Sequence, residues 1–501
     1  MPLKVFLQCD KSFLPKARYV VEMLAMRIGE TVRFIRKEEC GSSDIILSYG
    51  RRARGRRLPG THVVIAGSEE AWRMYELRER YLHTLAHRCT IDGESSLALF
   101  YDRDFIDHPE ILFQKKGRDV TIHIDIIAGS FFFLSGWQEW RPAATDIHQR
   151  FPVQSSIQYA FGLLNRPIVD QYAVLLEKAL EKAGRRRQRT GRYRGKTFAV
   201  MMTHDIDHIR KWTPGIIYRE CFRYLLLNRR NDFLKDRVIR FWNFLKMLSV
   251  RKDPYRISAE KIVSAERSAG AHGTYFFKVG GDDKRDGLRY LKKEFVRRLF
   301  RILKSDGHQI GLHPSYNAYA RSEMMSDQNE ELRDAAGDPI QAVRQHFLRF
   351  EMPLTWRIQD GLGFDYDATL GFAGHEGFRM ATCHPFRAYD LDNDRPLRLW
   401  ELPLIAMDDT FVSYRKLDAQ ASWKALCALL ETVKKYRGVA VVLFHNSCYD
   451  DFDNPGWGTI FEKTLRWSYE NNAALLNGRE VLESFRTTGT RRVGGKGNPV
   501  E

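Results

Sequence analysis

Residues 197–208 read TFAVMMTHDIDH, a run of β-branched, aromatic and methionine side chains that closes on two carboxylates two positions apart. A short apolar run of this kind fits a strand buried on both faces, as in a parallel sheet. Three similar runs follow: GTYFFKV at 273–279, HQIGLH at 308–313 and GVAVVLFH at 438–445. Three of the four end in Asp or His, and the intervals between them are long enough for crossover helices. In an α/β barrel the carboxyl ends of the strands converge on one face, where active sites lie. The pattern therefore predicts a barrel-like α/β domain with one shared site.

Outward from this block, residues 1–183 alternate β-rich runs (KVFLQ, DIILSY, HVVIAG, SLALFY, VTIHIDI) with helical patterns, which predicts a separate amino-terminal α/β domain. Residues 184–196, GRRRQRTGRYRGK, read as a basic, solvated linker, and 486–501 as a disordered tail. The barrel domain then covers 197–485. In a chain of 501 residues, 44% hydrophobic content excludes a mainly disordered protein, and the net charge of +17 admits acidic partners. The seven cysteines are scattered without a C-x-x-C pair, so neither a disulfide framework nor a thiolate zinc site is indicated. The start, MPLKVFLQCDKSF, lacks the pattern of a signal peptide. The apolar stretch at 126–137 is about half the ~20 residues of a membrane span. A cytoplasmic protein is expected.

Asp205 and Asp207 are two residues apart on a strand end and so face one side, close enough to require a cation or a proton. His313 ends a second strand before a proline, and His445 ends another. Two carboxylates and two imidazoles at strand ends make a hydrolytic metal site: one of each as ligands, the other pair as base and acid.

These residues resemble the motifs of the polysaccharide deacetylase (NodB homology, carbohydrate esterase family 4-like) family, whose fold is a distorted (β/α) barrel. Thr203-His204-Asp205-Ile206-Asp207 resembles its T-F-D-D motif, Gly307 to Asn317 its G-H-E-I-G-x-H-[ST]-x-x-H motif, Arg344-Gln345-His346-Phe347 its R-x-P-[YF] motif, and Val442-Leu443-Phe444-His445 its L-L-x-H motif. The resemblance implies Asp205 as general base, oriented by Arg344, and His445 as the acid. It also implies Asp207 and His313 as metal ligands, and the N–H of Phe347 in the oxyanion hole. The second metal histidine falls on Asn317 and the motif proline on His346, so the third ligand is Asn317 or His346. The metal implied is divalent: zinc first, with cobalt, nickel or manganese open.

Longer segments, among them DIIAGSFFFLSGWQEW and GFDYDATLGFAGHEGFRMATCHPF, resemble a group of bacterial deacetylases with an uncharacterised amino-terminal α/β domain. Trp356, Asp367, Arg379 and Phe386 lie in such segments and are candidates for a sugar-binding wall beside Phe347. The function implied is removal of an acetyl or other acyl group from an amino sugar of a polysaccharide or of its lipid- or nucleotide-linked precursor. The alternatives are hydrolysis of a cyclic amide or imide on the same barrel, or a non-catalytic glycan-binding homologue. No specific nucleic-acid partner is expected, and the oligomeric state is left open. An insertion at 215–261 interleaves Phe241, Trp242 and Phe244 with arginines and lysines, which suggests peripheral association with the inner membrane.

Overall fold

The amino-terminal strands are β1 (Leu3–Gln8), β2 (Val32–Phe34), β3 (Ile45–Gly50), β4 (Thr61–Ala66), β5 (His87–Ile91), β6 (Glu94–Ala98), β7 (Phe113–Lys116) and β8 (Asp119–Ile122). Six of them form one sheet in the order β2-β1-β3-β4-β8-β7, parallel except at β7–β8, while β5 and β6 make a hairpin. The protein is seen in a computed structural model that describes residues 1–50, 59–81, 83–140, 144–185, 191–212, 242, 245, 253–449 and 456–487. The helix Ile126–Leu134, IIAGSFFFL, is apolar all round and therefore has to be covered on every side. Phe131 packs on Phe13 within its own unit and on Tyr389 of the following one, with ring centroids 6.1 and 5.0 Å apart. The apolar stretch thus belongs to a core shared by both halves of the chain. Among the described residues no helix is long and apolar enough to cross a membrane.

The second sheet contains β9 (Ala199–Ile206), β10 (Thr274–Lys278), β11 (Gln309–His313), β12 (Ala342–Val343), β13 (Tyr366–Asp367), β14 (Phe386–Asp390), β15 (Arg395–Glu401), β16 (Leu404–Met407), β17 (Val439–Leu443) and β18 (Ala474–Leu475). Its order is β14-β15-β13-β12-β11-β10-β9-β17-β16, with β18 added to β9. Every pairing is parallel except β14–β15. At ~4.8 Å per strand, β9 and β12 would lie about 14 Å apart in a flat sheet. Arg344, next to β12, nonetheless donates to the Thr203 hydroxyl of β9 at 2.7 Å. The sheet is therefore curled into a half-barrel, and its carboxyl ends face a common centre.

The two units are joined by buried polar bonds. Arg27 donates to Asp170 at 3.0 Å and to Thr382 at 3.1 Å, and Asp170 also accepts the Cys383 N–H. Arg379 holds Glu139 with two bonds, at 2.9 and 2.5 Å, both side chains being almost wholly buried. Glu139→Ala is expected to cost about 3–5 kcal/mol by leaving Arg379 buried without its partner. A lower urea midpoint at unchanged slope would report that loss; an unchanged midpoint would show the pair contributes nothing.

In the described parts of the predicted linker, residues 184–185 and 191–196, Gly184, Gly191, Arg194 and Gly195 are exposed, but Arg192 and Tyr193 are packed against the amino-terminal unit and the core. Tyr193 is fully buried, and Arg192 donates to the carbonyls of Met26 and Arg27 at the end of the helix Leu14–Ile28, where a cation is favoured by the unpaired carbonyls. The predicted basic insertion is largely outside the described residues, as is the tail beyond Thr487. From Pro254 the chain forms a helix to Ala269, capped by Asp253, which is the β9–β10 crossover of the half-barrel.

Candidate active site and metal centre

Each functional side chain lies at or just beyond the carboxyl end of a strand. On β9 the two-residue period turns Asp205 and, past the strand end, Asp207 to the inside, whereas His204 points the other way and bonds the Phe444 carbonyl and Glu266. β11 delivers His313, and the loop after β12 delivers Arg344 and His346. Asp408 follows β16 and His445 follows β17. A cavity of about 250 Å³ is lined by Asp205, Asp207, His313, His346, Phe347 and His445 among others.

Asp207 Oδ1 lies 3.4 Å from His313 Nε2 and 3.7 Å from His346 Nε2, and the ligand atoms of the three residues cluster within 4.8 Å. Both rings are held from behind. His313 Nδ1–H donates to the Arg344 carbonyl at 2.6 Å, and His346 Nδ1–H to Asp286 at 3.2 Å, so both Nε2 lone pairs face Asp207. Asp207 Oδ1 is buried and makes no hydrogen bond. Donors about 2.0–2.1 Å from a tetrahedral metal stand roughly 3.3–3.5 Å apart, close to the separations here. A buried carboxylate oxygen without a hydrogen bond, ion-paired to Lys278, and two converging imidazoles make a donor set that fits a divalent cation.

The surrounding charges set the ionisation of these groups. Burial alone would favour neutral Asp207, but Lys278 and the two imidazoles overcome it and hold the carboxyl well below the usual range. Burial also pulls His346 down to about 4, against the opposing effect of Asp286, which keeps the ring neutral as a ligand must be. The Lys278 ammonium, 1% exposed, stands 3.3 Å from Asp207 Oδ1 and 3.4 Å from His346 Nε2.

Of the two candidates for a third ligand, His346 lies with Asp207 and His313. Asn317 is turned away, donating to Asp282 at 3.1 Å and accepting from Arg349 at 3.1 Å. Asp205 receives Arg344 Nη1 at 3.3 Å, and Arg344 is wholly buried, fixed also by the Ala368 carbonyl and Thr203. His445 is clamped by Asp408, which accepts from both its Nδ1–H and its main-chain N–H at 2.6 Å. Burial opposes a charge on His445, yet Asp408, with help from Asp205 and Asp207, pushes the imidazole up to about 10. Phe347 and Leu348 both have left-handed backbone, φ 61° and 53°, and both line the cavity. Two successive non-glycine residues in that region store of order 1–3 kcal/mol each, a strain concentrated at functional sites.

The expected sugar wall is corrected. Trp356 and Phe386 are wholly buried, and the Trp356 indole donates to Glu401 at 3.0 Å. Asp367 is likewise buried, accepting from Thr369 Oγ1 and Gln359. Arg379 is consumed by Glu139. None of the four lines the cavity. Of that group only Phe347 does.

Sequence reasoning missed Asp408, Asp286, Lys278 and Arg150. ELPLIAMDDT placed two carboxylates at a strand end, and GTYFFKV was the one run of the four to carry a lysine, Lys278, near its end; both signals were present.

Residues 5–185 match the model of a family of unknown function, DUF7033. None of the curated proteins matches the chain. Among solved structures, the chain is similar to a protein from Mycobacterium smegmatis assigned as a polysaccharide deacetylase, at 15% identity and TM-score 0.39, over 61% of this chain and 96% of that one. A protein from Pseudomonas aeruginosa, also assigned as a polysaccharide deacetylase, follows at 12% identity and TM-score 0.38, over 58% and 91%. A CE4 family pseudoenzyme from Bacillus anthracis is similar at 11% identity and TM-score 0.29, over 57% and 66%.

Proposed function

We propose that the protein is a metal-dependent hydrolase that removes an acetyl or other short acyl group from an amino sugar of a polysaccharide or its precursor. The observation that carries this reading is the convergence, in one cavity, of an Asp–His–His donor set, a carboxylate seated on a buried arginine, and an imidazole whose Nδ1–H is held by a buried carboxylate.

Asp207, His313 and His346 would hold the cation, which when bound would polarise the amide carbonyl and acidify a water molecule. Asp205, oriented by Arg344, takes the proton of that water as it attacks the carbonyl carbon. The N–H of Phe347 donates to the developing oxyanion. His445 then gives its proton to the amine nitrogen as the C–N bond breaks. An amine is a poor leaving group without that proton, which matches an acid held charged by Asp408 to the task. The proposal includes a cytoplasmic enzyme acting on a lipid- or nucleotide-linked precursor, a part supported by the sequence reading alone.

Asp205→Asn is expected to retain metal and fold while losing at least about 100-fold in acetate release from N-acetylglucosamine oligomers, whereas Asp207→Ala loses metal and activity together. Near-wild-type release by Asp205→Asn would overturn the base assignment. Hydrolysis of a cyclic imide without acetate release would move the reading to that bond, and metal-free protein that still binds glycan would mean a non-catalytic homologue.

A further inference from the structure

Residues 146–150, DIHQR, belong to the amino-terminal unit, yet their last residue, Arg150, lines the half-barrel's cavity. Their turn is built locally. Asp146 accepts the N–H groups of His148 and Arg150 at 2.8 and 2.9 Å and holds Arg150 Nε at 2.7 Å, and Gln149 takes the left-handed backbone the turn needs, φ 59°. From this fixed turn, bonds run to the loops after three strands of the half-barrel. Arg150 donates to the Phe347 carbonyl at 3.0 Å and to the Tyr414 hydroxyl at 3.1 Å. Arg349 donates to the His148 carbonyl at 3.0 Å and to Gln149 Oε1 at 2.8 Å. His148 Nδ1 pairs with the Tyr316 hydroxyl at 3.0 Å. Arg150 is 6% exposed and lines the cavity with Asp205, Asp207 and His445.

The carbonyl that Arg150 grips belongs to the left-handed Phe347, whose own N–H is the donor assigned to the oxyanion. A residue in that backbone region persists only where its surroundings over-determine it, and a guanidinium presenting two N–H arms in a fixed plane is suited to do so. We infer that the amino-terminal unit is part of the active site, with Arg150 as a positioning residue that fixes the Phe347 carbonyl and so the left-handed φ/ψ of Phe347, which sets the direction of the preceding peptide whose N–H is the oxyanion donor. The inference rests on the deacetylase reading. It gives residues 5–185 a role in the half-barrel's chemistry in place of an independent one.

The test uses the full chain. Losing a well-placed oxyanion donor costs about 100- to 1,000-fold in kcat, so loosening one through Arg150→Met is expected to lower kcat by at least about tenfold, with KM and metal content little changed. Arg150→Ala is expected to regain part of its kcat in millimolar guanidinium, a rescue that a merely structural role would not produce. Tyr414→Phe, which removes one anchor and leaves Asp146 and Phe347 in place, is expected to lower kcat severalfold in the same direction and covers the case in which Arg150 variants do not fold. An unchanged kcat in both Arg150→Met and Tyr414→Phe would overturn the inference, as would a raised KM at constant kcat, which would make Arg150 a direct substrate contact. A wild-type protein that binds metal but releases no acetate would overturn the deacetylase reading first, and this inference with it.

Discussion

His346→Ala is expected to strip the protein of stoichiometric divalent metal and of all acetate release. Asp286→Asn, which removes only the carboxylate behind the ring, is expected to weaken metal binding about 10- to 100-fold, the usual cost of an outer partner. Asn317→Ala is expected to leave metal content unchanged. The order follows from geometry. Two of the three donors come from the strand-end pair Asp207 and His313, at 3.4 Å, and two protein donors hold a catalytic cation far less well than three. His346 is the only further imidazole grouped with them among the described residues. Without Asp286 the ring keeps its place between Tyr316 and Phe347 but loses the partner that fixes its tautomer. Metal content after dialysis, by elemental mass spectrometry, separates the three variants. Full metal in His346→Ala, or its loss in Asn317→Ala, would reverse the ligand assignment.

The half-barrel was legible because its strands are buried on both faces, so that runs such as TFAVMMTHD and GVAVVLFH carry almost no polar interruption until the chain reaches the site. Asp205 and Asp207 were legible for the same reason: a two-residue period fixes their common side whatever the neighbouring strands do. The third ligand was not. Sequence left Asn317 and His346 as the candidates, with His346 expected to compensate; that His346 groups with Asp207 and His313 while Asp282 and Arg349 take both ends of the Asn317 amide is a tertiary fact. The failed sugar wall has a related cause. Trp356, Asp367 and Phe386 stand in segments that look functional, but the half-barrel's seam demands large and polar fillers of its own, and Glu401, Thr369 and Gln359 satisfy them there. Within the basic linker, charge pattern reports what a residue offers and not what it meets: Arg192 meets the open carbonyls of a helix end. Arg150 was beyond reach, since its turn is local whereas the loop it grips is about 200 residues away in the chain.

Asp408→Asn is expected to lower kcat by about 100- to 10,000-fold, the range of general acid catalysis, and to move the alkaline limb of the kcat profile to lower pH. Burial alone disfavours the charged imidazole of His445. It is outweighed by Asp408, through its charge and its hydrogen bond, and then by Asp205 and Asp207, giving a value of about 10 in place of 6.5. Asparagine is nearly isosteric and retains an oxygen for the His445 main-chain N–H, but its amide would face Nδ1 with a donor. The ring then becomes neutral, with its proton on Nε2, a much weaker acid toward the leaving amine. The same shift has a consequence for stability. A histidine raised from 6.5 to about 10 contributes stability fully below pH 6.5 and loses it as pH climbs through about 10. Wild-type protein should therefore grow easier to denature across that interval, and Asp408→Asn should show a flatter dependence, having little of that stability to lose. Urea midpoints at pH 6.5 and 9.5 measure the difference without any substrate. A kcat profile and a midpoint trend both unchanged in Asp408→Asn would show that His445 is not held protonated by its partner and is not the acid that releases the amine.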